Sequence, residues 1–430
     1  MGIEKKKRVG IYLSPGIVID NPDYLTALRD ELGLNLVILG YSGELPPEVV
    51  KESPFDGTPP TDECIHSLVA KHVDGQPVDT TEFDQVRGSV GPGFGKGNEA
   101  EFRRANQVIH DAGMDMWICG GSWTQRALMF CPSNEATNHW FEAAYVHMAT
   151  RYGIEGLDLS HARYPMGSMP RGLFSCACDN CARAAADMGY DMQKMVAALH
   201  AGHKRLASVD AKLLAGANRK GMGPFDYMQM LDMPSGIIDW FRFRAALLGK
   251  NLKRFRDTVH GAAGPNFIFG TDTYPASLSM FMGHNHAAWA EFSDFASPLV
   301  SHIYQFVVLT LVGWAQFLQE LNPGLSEADA LHIVYNVTGY DGLGLPDSEA
   351  GFNHEDNDKM VRSIPLKDII LHDLIKARLS LPEHLPSYPI IHGEGWPLED
   401  IRGIMAGAEQ AGHDGIIFQG TAELVNFELK

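Results

Sequence analysis

The sequence repeats one pattern eight times: a short apolar, β-branched run that ends in Gly, Ser, Asp or His alternates with segments of helical periodicity. Such alternation is typical of parallel strands that are buried on both faces. The predicted strand segments are 8–16, 35–43, 114–119, 154–165, 266–275, 296–304, 388–396 and 415–421. Eight such units without an interior linker predict an α/β fold, one (β/α)8 TIM barrel that occupies residues 1–430 as a single domain.

Three segments are longer than a simple connection needs: residues 44–97, 166–234 and 317–387. Each follows the carboxyl end of a predicted strand, the face on which barrel enzymes build their sites. Loops longer than about 15 residues are usually functional, although covering the barrel or forming an oligomer contact explains them equally well. We expect loop insertions that elaborate the mouth of the barrel, and their length allows a homo-oligomer.

The charge balance restricts the partner. The chain has 35 Lys and Arg against 53 Asp and Glu, a formal net charge of −18, and therefore repels nucleic acid and anionic membranes. No run approaches the ~20 uninterrupted apolar residues of a membrane helix. Six Cys in 430 residues favour a reducing, cytoplasmic compartment, although a trimmed signal peptide would leave no trace. A small neutral substrate such as a sugar is the expected partner.

Three carboxylates lie at predicted strand ends, where side chains of a barrel converge: Asp158, Asp272 and Glu394. Glycosidic-bond cleavage needs two carboxyl groups, one protonated donor and one ionised nucleophile or base. We therefore predict a glycosidase in which Asp272 is the proton donor and Glu394 the base or nucleophile, with the reverse assignment open. Asp158 is expected to orient Arg163 or contact a substrate hydroxyl; the structural alternative is that it only braces the loop through Arg163.

The same strand ends supply polar and aromatic side chains suited to sugar hydroxyls and ring faces. The predicted substrate-binding residues are His161, Arg163, Tyr164, Tyr274, His302, His392, Trp396, Trp123 and Gln419. The alternative for a lone Trp is a place in the core, which is its commoner location.

Two other functions compete with a glycosidase. One is a metal-dependent hydrolase or lyase on the same barrel, since imidazole and carboxylate groups bind divalent ions. Its candidate ligands are His161, His302, His392, Asp272 and Glu394. His284 and His286 lie two apart, but in a predicted exposed loop before a predicted helix, 288–295, so no catalytic metal is assigned. The other competitor is a barrel that binds carbohydrate without catalysis.

A cysteine cluster follows the fourth strand: Cys176, Cys178 and Cys181 lie within six positions. Their spacing lets three thiolates meet, but a structural zinc needs a fourth ligand. The candidates are Cys64, Cys119, Cys131 and the histidines. The equally weighted alternative is that the thiols only pack a short turn.

The segment GIEGLDLSHARYP, followed by GLFSCACDNCARAAADMGYD, resembles bacterial glycoside hydrolases of the glycosyl-hydrolase-like barrel superfamily. In that family GxDGxxxDxxRxP precedes a cysteine motif and a helix. The specific motif is confined to residues 153–191, while the general resemblance extends over most strand units. It implies a TIM barrel and a carbohydrate substrate. Arg163 and Pro165 match the motif, but Ser160 stands where the family has its second acidic residue, so that catalytic role does not transfer to position 160.

Overall fold

The strands form one parallel sheet. The computed structural model describes residues 6–40, 62–78, 99–125, 128–164, 171–393 and 396–420, together with 425, 427 and 429. The barrel strands are β1 (Arg8–Leu13), β2 (Leu36–Gly40), β3 (Asp115–Gly121), β4 (Gly156–Ser160), β5 (Ile268–Thr273), β6 (Ala296–Pro298), β7 (Ile390–His392) and β8 (Gly415–Gln419). Their order is β6-β5-β4-β3-β2-β1-β8-β7. Parallel bridges from Ala296 to Ser387 and from Leu299 to Ile390 join the two ends. The predicted (β/α)8 barrel is confirmed.

The helices alternate with these strands. They are α1 (Pro15–Asp20), α2 (Pro22–Leu32), α3 (Asp62–Leu68), α4 (Glu99–Asp111), α5 (Glu135–Arg151), α6 (Asp179–Asp187), α7 (Met192–Ser208), α8 (Ala211–Arg219), α9 (Pro224–Met230), α10 (Gly236–Ala263), α11 (Leu309–Leu321), α12 (Glu327–Thr338), α13 (Glu349–Phe352), α14 (Asn357–Ser363), α15 (Leu366–Ser380) and α16 (Leu398–Gln410). Among the described residues, no helix is both long and apolar enough to cross a bilayer.

Local sequence explains where these helices begin and end. The Asn134 side chain accepts a hydrogen bond from Thr137 N and so caps the first turn of α5. Helix α2 ends at Gly33, whose φ of 72° is the left-handed conformation that glycine adopts readily. Helix α10 buries residues at helical spacing, including Trp240, Leu247 and Phe255, and so packs one face against the barrel.

Two of the long insertions contain helices. The described part of 166–234 contains α6 to α9, and 317–387 contains the C-terminal end of α11 and all of α12 to α15. Of 44–97, only residues 62–78 are described. The predicted helix 288–295 is wrong: residues His286–Glu291 form a short 3-10 segment. The connection from β5 to β6 instead contains two short 3-10 segments, Ser279–Met282 and His286–Glu291.

Inward-facing side chains of the eight strands fill the barrel. Trp117 on β3 packs against Phe295, with ring centroids 4.7 Å apart, and Phe295 packs against Tyr388 at 5.9 Å. Room for these rings comes from glycines on the neighbouring strands. A Cβ atom on Gly156 would lie 2.8 Å from the indole nitrogen of Trp117, and one on Gly270 would lie 2.4 Å from the ring of Phe295.

Replacing Gly270 with Ala is expected to lower the free energy of unfolding by about 1–3 kcal/mol, because the added methyl overlaps a ring that other rings already confine. Urea unfolding of the two proteins measures the difference. The matched control is Gly216→Ala in α8, where a Cβ meets nothing within 4 Å and the substitution favours the helix by up to about 1 kcal/mol. A Gly270→Ala protein as stable as the parent would contradict this packing.

Candidate active site

A cavity of about 840 Å³ opens at the carboxyl ends of the barrel strands. Its polar lining groups come from the strand ends and the turns that follow them: Tyr12, Cys119, Ser160, His161, Arg163, Asp272, Ser301, His302, His392 and Gln419. Its apolar walls include Leu13, Ile17, Ile303, Phe306, Met360, Val361, Leu366 and Trp396. Polar groups at the strand ends beneath apolar walls suit a small molecule that must be oriented by hydrogen bonds.

Strand alternation explains why these residues meet. Tyr12, Ser160 and Asp272 lie on different strands, and all three line the cavity. Asp158 lies two residues before Ser160 and therefore on the same side of β4. Strand β4 ends at Ser160, and His161 then takes a positive φ of 62°. That turn is what brings His161 to the cavity beside Ser160, although the alternation of the strand alone would place it on the opposite side.

Among the described residues, Asp272 is the carboxyl group that lines the cavity. It is 5% exposed, and burial raises its pKa to about 6, although the charge of Arg163 and a hydrogen bond from Ser160 act in the opposite direction. Ser160 Oγ lies 3.2 Å from Oδ2 of Asp272 and 2.7 Å from Nδ1 of His161. Within the described part of the chain, Oδ1 of Asp272 has no hydrogen-bond partner. Asp272 thus has one buried oxygen without a hydrogen-bond partner in that part of the chain, and burial raises its pKa to about 6.

Asp158 is 1% exposed and is not among the residues that line the cavity. Its Oδ2 accepts a hydrogen bond from the hydroxyl of Tyr12, which itself lines the cavity. Burial, and secondarily the charge of Asp272, raise the pKa of Asp158 to about 8, while the hydrogen bond from Tyr12 lowers it. Asp158 is therefore a neutral carboxylic acid at pH 7, paired with Tyr12. The charge of Arg163 lowers the pKa of Asp272. That Asp158 orients Arg163 stays a prediction.

Two histidines of the cavity, His161 and His302, are neutral. Burial lowers the pKa of His161 and of His302 to about 3. His302 Nε2 donates to Oε1 of Gln419 at 3.1 Å, because an amide oxygen can only accept. Nδ1 of His302 is then an acceptor, and it has no partner among the described residues. The ring of His392 lies 5.4 Å from that of His302.

Other predicted binding residues lie elsewhere. Tyr164, Tyr274 and Trp123 are fully buried and are not among the residues that line the cavity. The ring of Tyr164 lies beneath the guanidinium of Arg244, and Trp123 donates to Oδ1 of Asn138 in the core. Tyr274 packs against Phe306, which takes the cavity wall in its place. Their direct contact with substrate stays an untested prediction.

Glu394 lies outside the described residues, as do Gly395 and Pro165. Its neighbours in sequence on both sides, His392 and Trp396, line the cavity.

Tyr12 and Ser301 were not predicted from the sequence, and Cys119 was predicted only as a possible zinc ligand, not as a residue of the cavity. The signal for Tyr12 was available, since it lies two residues after Gly10 on an alternating strand and ends on the inner face. Ser301 precedes the π-helical turn Ile303–Val308, which periodicity does not reveal.

His284 and His286 are buried, 3% and 5% exposed, so their predicted exposure is wrong. His284 Nδ1 accepts from the backbone N–H of Tyr274 at 3.0 Å, and its Nε2 donates to the carbonyl of Ala162 at 3.1 Å. These bonds tie the end of β5 to the turn that carries His161. The side chain of His284 thus satisfies two buried backbone groups, the N–H of Tyr274 and the carbonyl of Ala162, which would otherwise lack a partner.

The cysteine cluster is completed by Cys131. The sulfur atoms of Cys131, Cys176, Cys178 and Cys181 all lie within 4.8 Å of one another, close enough to hold one metal ion. The side chain of Cys64 lies outside the described residues, and Cys119 lines the cavity instead. Among the described residues, no other group of three or more His, Cys, Asp or Glu side chains has this proximity.

No protein-family model matches the sequence, and no curated protein sequence matches it either. Solved structures with similarity in fold include the catalytic domain of a β-amylase from Paenibacillus polymyxa, with 9% identity, coverage of 96% of this chain and 92% of that one, and a TM-score of 0.41. An endo-1,4-β-D-mannanase from Thermotoga petrophila shows 9% identity, 96% and 88% coverage, and a TM-score of 0.35. An exo-β-N-acetylglucosaminidase from Vibrio harveyi shows 8% identity over 71% of this chain, with a TM-score of 0.35; the chain spans 40% of its length. Similarity at this level concerns the fold alone.

Proposed function

We propose that the protein hydrolyses a glycosidic bond in an oligosaccharide or glycoside by carboxylate acid/base catalysis. The observation that carries the proposal is Asp272: a buried carboxyl at the cavity floor with a pKa raised to about 6 and one unpaired oxygen. A carboxyl of that kind keeps its proton up to about pH 6, well above the range of an ordinary Asp, and gives it to a leaving oxygen. This assigns Asp272 as the general acid.

Ser160 and His161 support that acid. Ser160 donates to Oδ2 of Asp272, and the neutral His161 donates from Nδ1 to Ser160 Oγ. When Asp272 is protonated, its proton is on Oδ1, the oxygen that Ser160 does not contact. The hydroxyl at position 160 therefore keeps the same hydrogen bonds in both protonation states of Asp272. This is a role that a third carboxylate could not fill without raising the pKa of Asp272 further.

The charges around the cavity fit a neutral substrate. Among the described lining residues, Arg163 and Asp272 are the two that carry formal charge when ionised, and they act on each other. The neutral His302 and the amide of Gln419 offer hydrogen bonds to hydroxyls, and Trp396 offers a ring face. A sugar without charged groups matches this lining, as it matches the net charge of the chain.

The second carboxylate of the mechanism is assigned to Glu394, from its place in the sequence between two residues that line the cavity. It acts as nucleophile in a retaining reaction or as base for water in an inverting one. Catalysis by two carboxylates uses no cofactor. A bacterial, cytoplasmic protein and a homo-oligomer stay predictions from the sequence.

The test is product formation on a panel of α- and β-linked glycosides and oligosaccharides, read by chromatography with and without a chelator. Cleavage that a chelator leaves unchanged is the expected result, and the anomer of the first product distinguishes retention from inversion. Cleavage that the chelator abolishes without lowering Tm, and that a divalent ion restores, would replace the proposal with metal catalysis by the cavity histidines; a loss that accompanies a lower Tm reports a change in folding instead. Sugar-dependent thermal stabilisation without product would replace it with a binding barrel.

The pH dependence of turnover tests the protonation state of Asp272. An acid works only while protonated, so kcat/KM is expected to fall about tenfold per pH unit above a pKa of about 6. The charge of Arg163 lowers this pKa, so Arg163→Gln should move the fall to higher pH. Initial rates between pH 4 and 9 provide both profiles. A kcat/KM that rises through pH 6 would make Asp272 the base instead.

A further inference from the structure

Four cysteine thiols lie together beside the barrel mouth. Cys131, Cys176 and Cys181 are at most 1% exposed, and Cys178 is half-buried. Cys131 Sγ lies 3.4 Å from the sulfur of Cys178 and 3.5 Å from that of Cys181. They come from two distant segments of the chain, so local packing of one short turn does not account for their meeting.

Their separations fit one tetrahedral ion. A Zn–S bond of about 2.3 Å places the four sulfurs of a tetrahedral site about 3.8 Å apart. The measured distances of 3.4 and 3.5 Å, and the limit of 4.8 Å on all pairs, bracket that value. A cluster of several irons spreads its thiolates further apart than a single ion does.

Two hydrogen bonds point at the sulfurs from outside. The backbone N–H of Lys71 donates to Sγ of Cys176 at 3.2 Å, and the hydroxyl of Ser133 donates to Sγ of Cys181 at 3.3 Å. Donors around the ligating sulfurs are what metal-bound thiolates receive in structural sites. Four neutral thiols packed together need no such donors.

We propose that Cys131, Cys176, Cys178 and Cys181 bind one structural Zn²⁺. The ion fastens two insertions to each other: the hairpin after β3, in which Thr124–Gln125 pairs with Leu128–Met129, and the segment after β4. The segment after β2, residues 62–78, supplies no ligand and contacts the cluster through the N–H of Lys71. Backbone bonds already align these segments, from Ala70 N to Met129 O at 2.7 Å and from Ala177 N to Lys71 O at 2.8 Å. These three segments form a sheet-like platform, and side chains such as Leu68, Ala70 and Phe130 are already buried in the hydrophobic core. The zinc adds metal–thiolate bonds to those contacts.

The platform reaches the candidate active site through Thr124. Its hydroxyl donates to the carbonyl of Arg163 at 2.9 Å, and its backbone N–H donates to the carbonyl of His161. The same hairpin carries Cys131. The zinc therefore fixes the turn that brings His161 and Arg163 to the cavity, although it lies outside the cavity itself and takes no part in the proposed chemistry.

Metal analysis of the full chain, purified without added metal or chelator, tests the site. We expect about one zinc per chain in the parent, a near-complete loss in Cys131→Ser, and no loss in the control Cys119→Ser, whose thiol lies apart from the cluster. Cobalt reconstitution should give thiolate-to-metal charge-transfer bands and the visible bands of a tetrahedral ion. Zinc removal should lower Tm by roughly 5 °C or more.

If Cys131→Ser does not fold, the parent protein decides. Thiol titration of the native chain should show four cysteines that become reactive only when a chelator is added. Two disulfides, iron in place of zinc, or thiols equally reactive with and without chelator would each overturn the proposal. Zinc content and thiol protection are independent of turnover, so these results stand whatever the glycoside panel shows.

Discussion

Replacing Asp272 with Asn is expected to lower kcat by about 10²- to 10⁴-fold, the contribution of a positioned general acid. The amide keeps the shape of the carboxyl and can still accept from Ser160, but it has no proton to give to the leaving oxygen. The descending limb of the pH profile near 6 should disappear with it. Initial rates on the glycoside that the panel identifies, for parent and variant, measure both effects. A substrate with a good leaving group should be less affected, because its oxygen needs less protonation.

A matched control is Asp373→Asn. Asp373 is also fully buried, and burial raises its pKa to about 7, but it bonds to Tyr340 and Ser277 and does not line the cavity. We expect turnover within a few-fold of the parent after correction for folded protein. If Asp272→Asn retains full activity, or if both variants lose it equally, Asp272 is not the proton donor.

The strand pattern was predictable because it is local. A buried parallel strand is an apolar run followed by a turn residue, and the sequence states this directly for all eight strands, including the short β6 and β7. Alternation also predicted that Asp158 and Ser160 share the inner side of β4. The prediction of a helix at 288–295 failed because local periodicity does not reveal the tertiary hydrogen bonds of His284 and His286, which hold this connection in a 3-10 conformation.

The depth of each side chain in the mouth was not predictable from the same pattern. Tyr274 follows Asp272 by two residues, yet Phe306 from the distant π-helical turn covers it. Trp123 lies just past β3, and α5 and α10 enclose it. These outcomes depend on insertions folding back over the barrel, which is a property of tertiary packing rather than of local spacing.

The cysteine cluster shows the same limit. The spacing of Cys176, Cys178 and Cys181 predicted that three thiols meet, because they lie within six positions of the sequence. It left the fourth partner open among several candidates. Cys131 became identifiable only when the hairpin after β3 was seen to pair with the segment at residues 68–71.

Arg244 is a buried cation whose hydrogen bonds all go to backbone carbonyls. It is fully buried on α10, and although burial lowers its pKa to about 10, it stays charged at neutral pH. Its guanidinium donates to the carbonyls of Gly172, Leu173 and Phe281 and lies 4.0 Å above the ring of Tyr164. These contacts join the barrel helix to the start of the insertion that carries the cysteines.

Replacing Arg244 with Leu is expected to lower the free energy of unfolding by about 3–5 kcal/mol, because three buried carbonyls lose their hydrogen-bond donor. Removal of the buried charge acts in the opposite direction and offsets part of this loss. Urea unfolding curves give the difference. Arg254→Leu on the same helix is the matched control: Arg254 is part-exposed and pairs with Glu142 and Glu135, and loss of such pairs costs about 1 kcal/mol or less. Equal stability of Arg244→Leu and the parent would mean that removing the buried charge offsets the lost hydrogen bonds. In that event the insertion must be held by its other contacts, of which the cysteine cluster is the nearest in sequence.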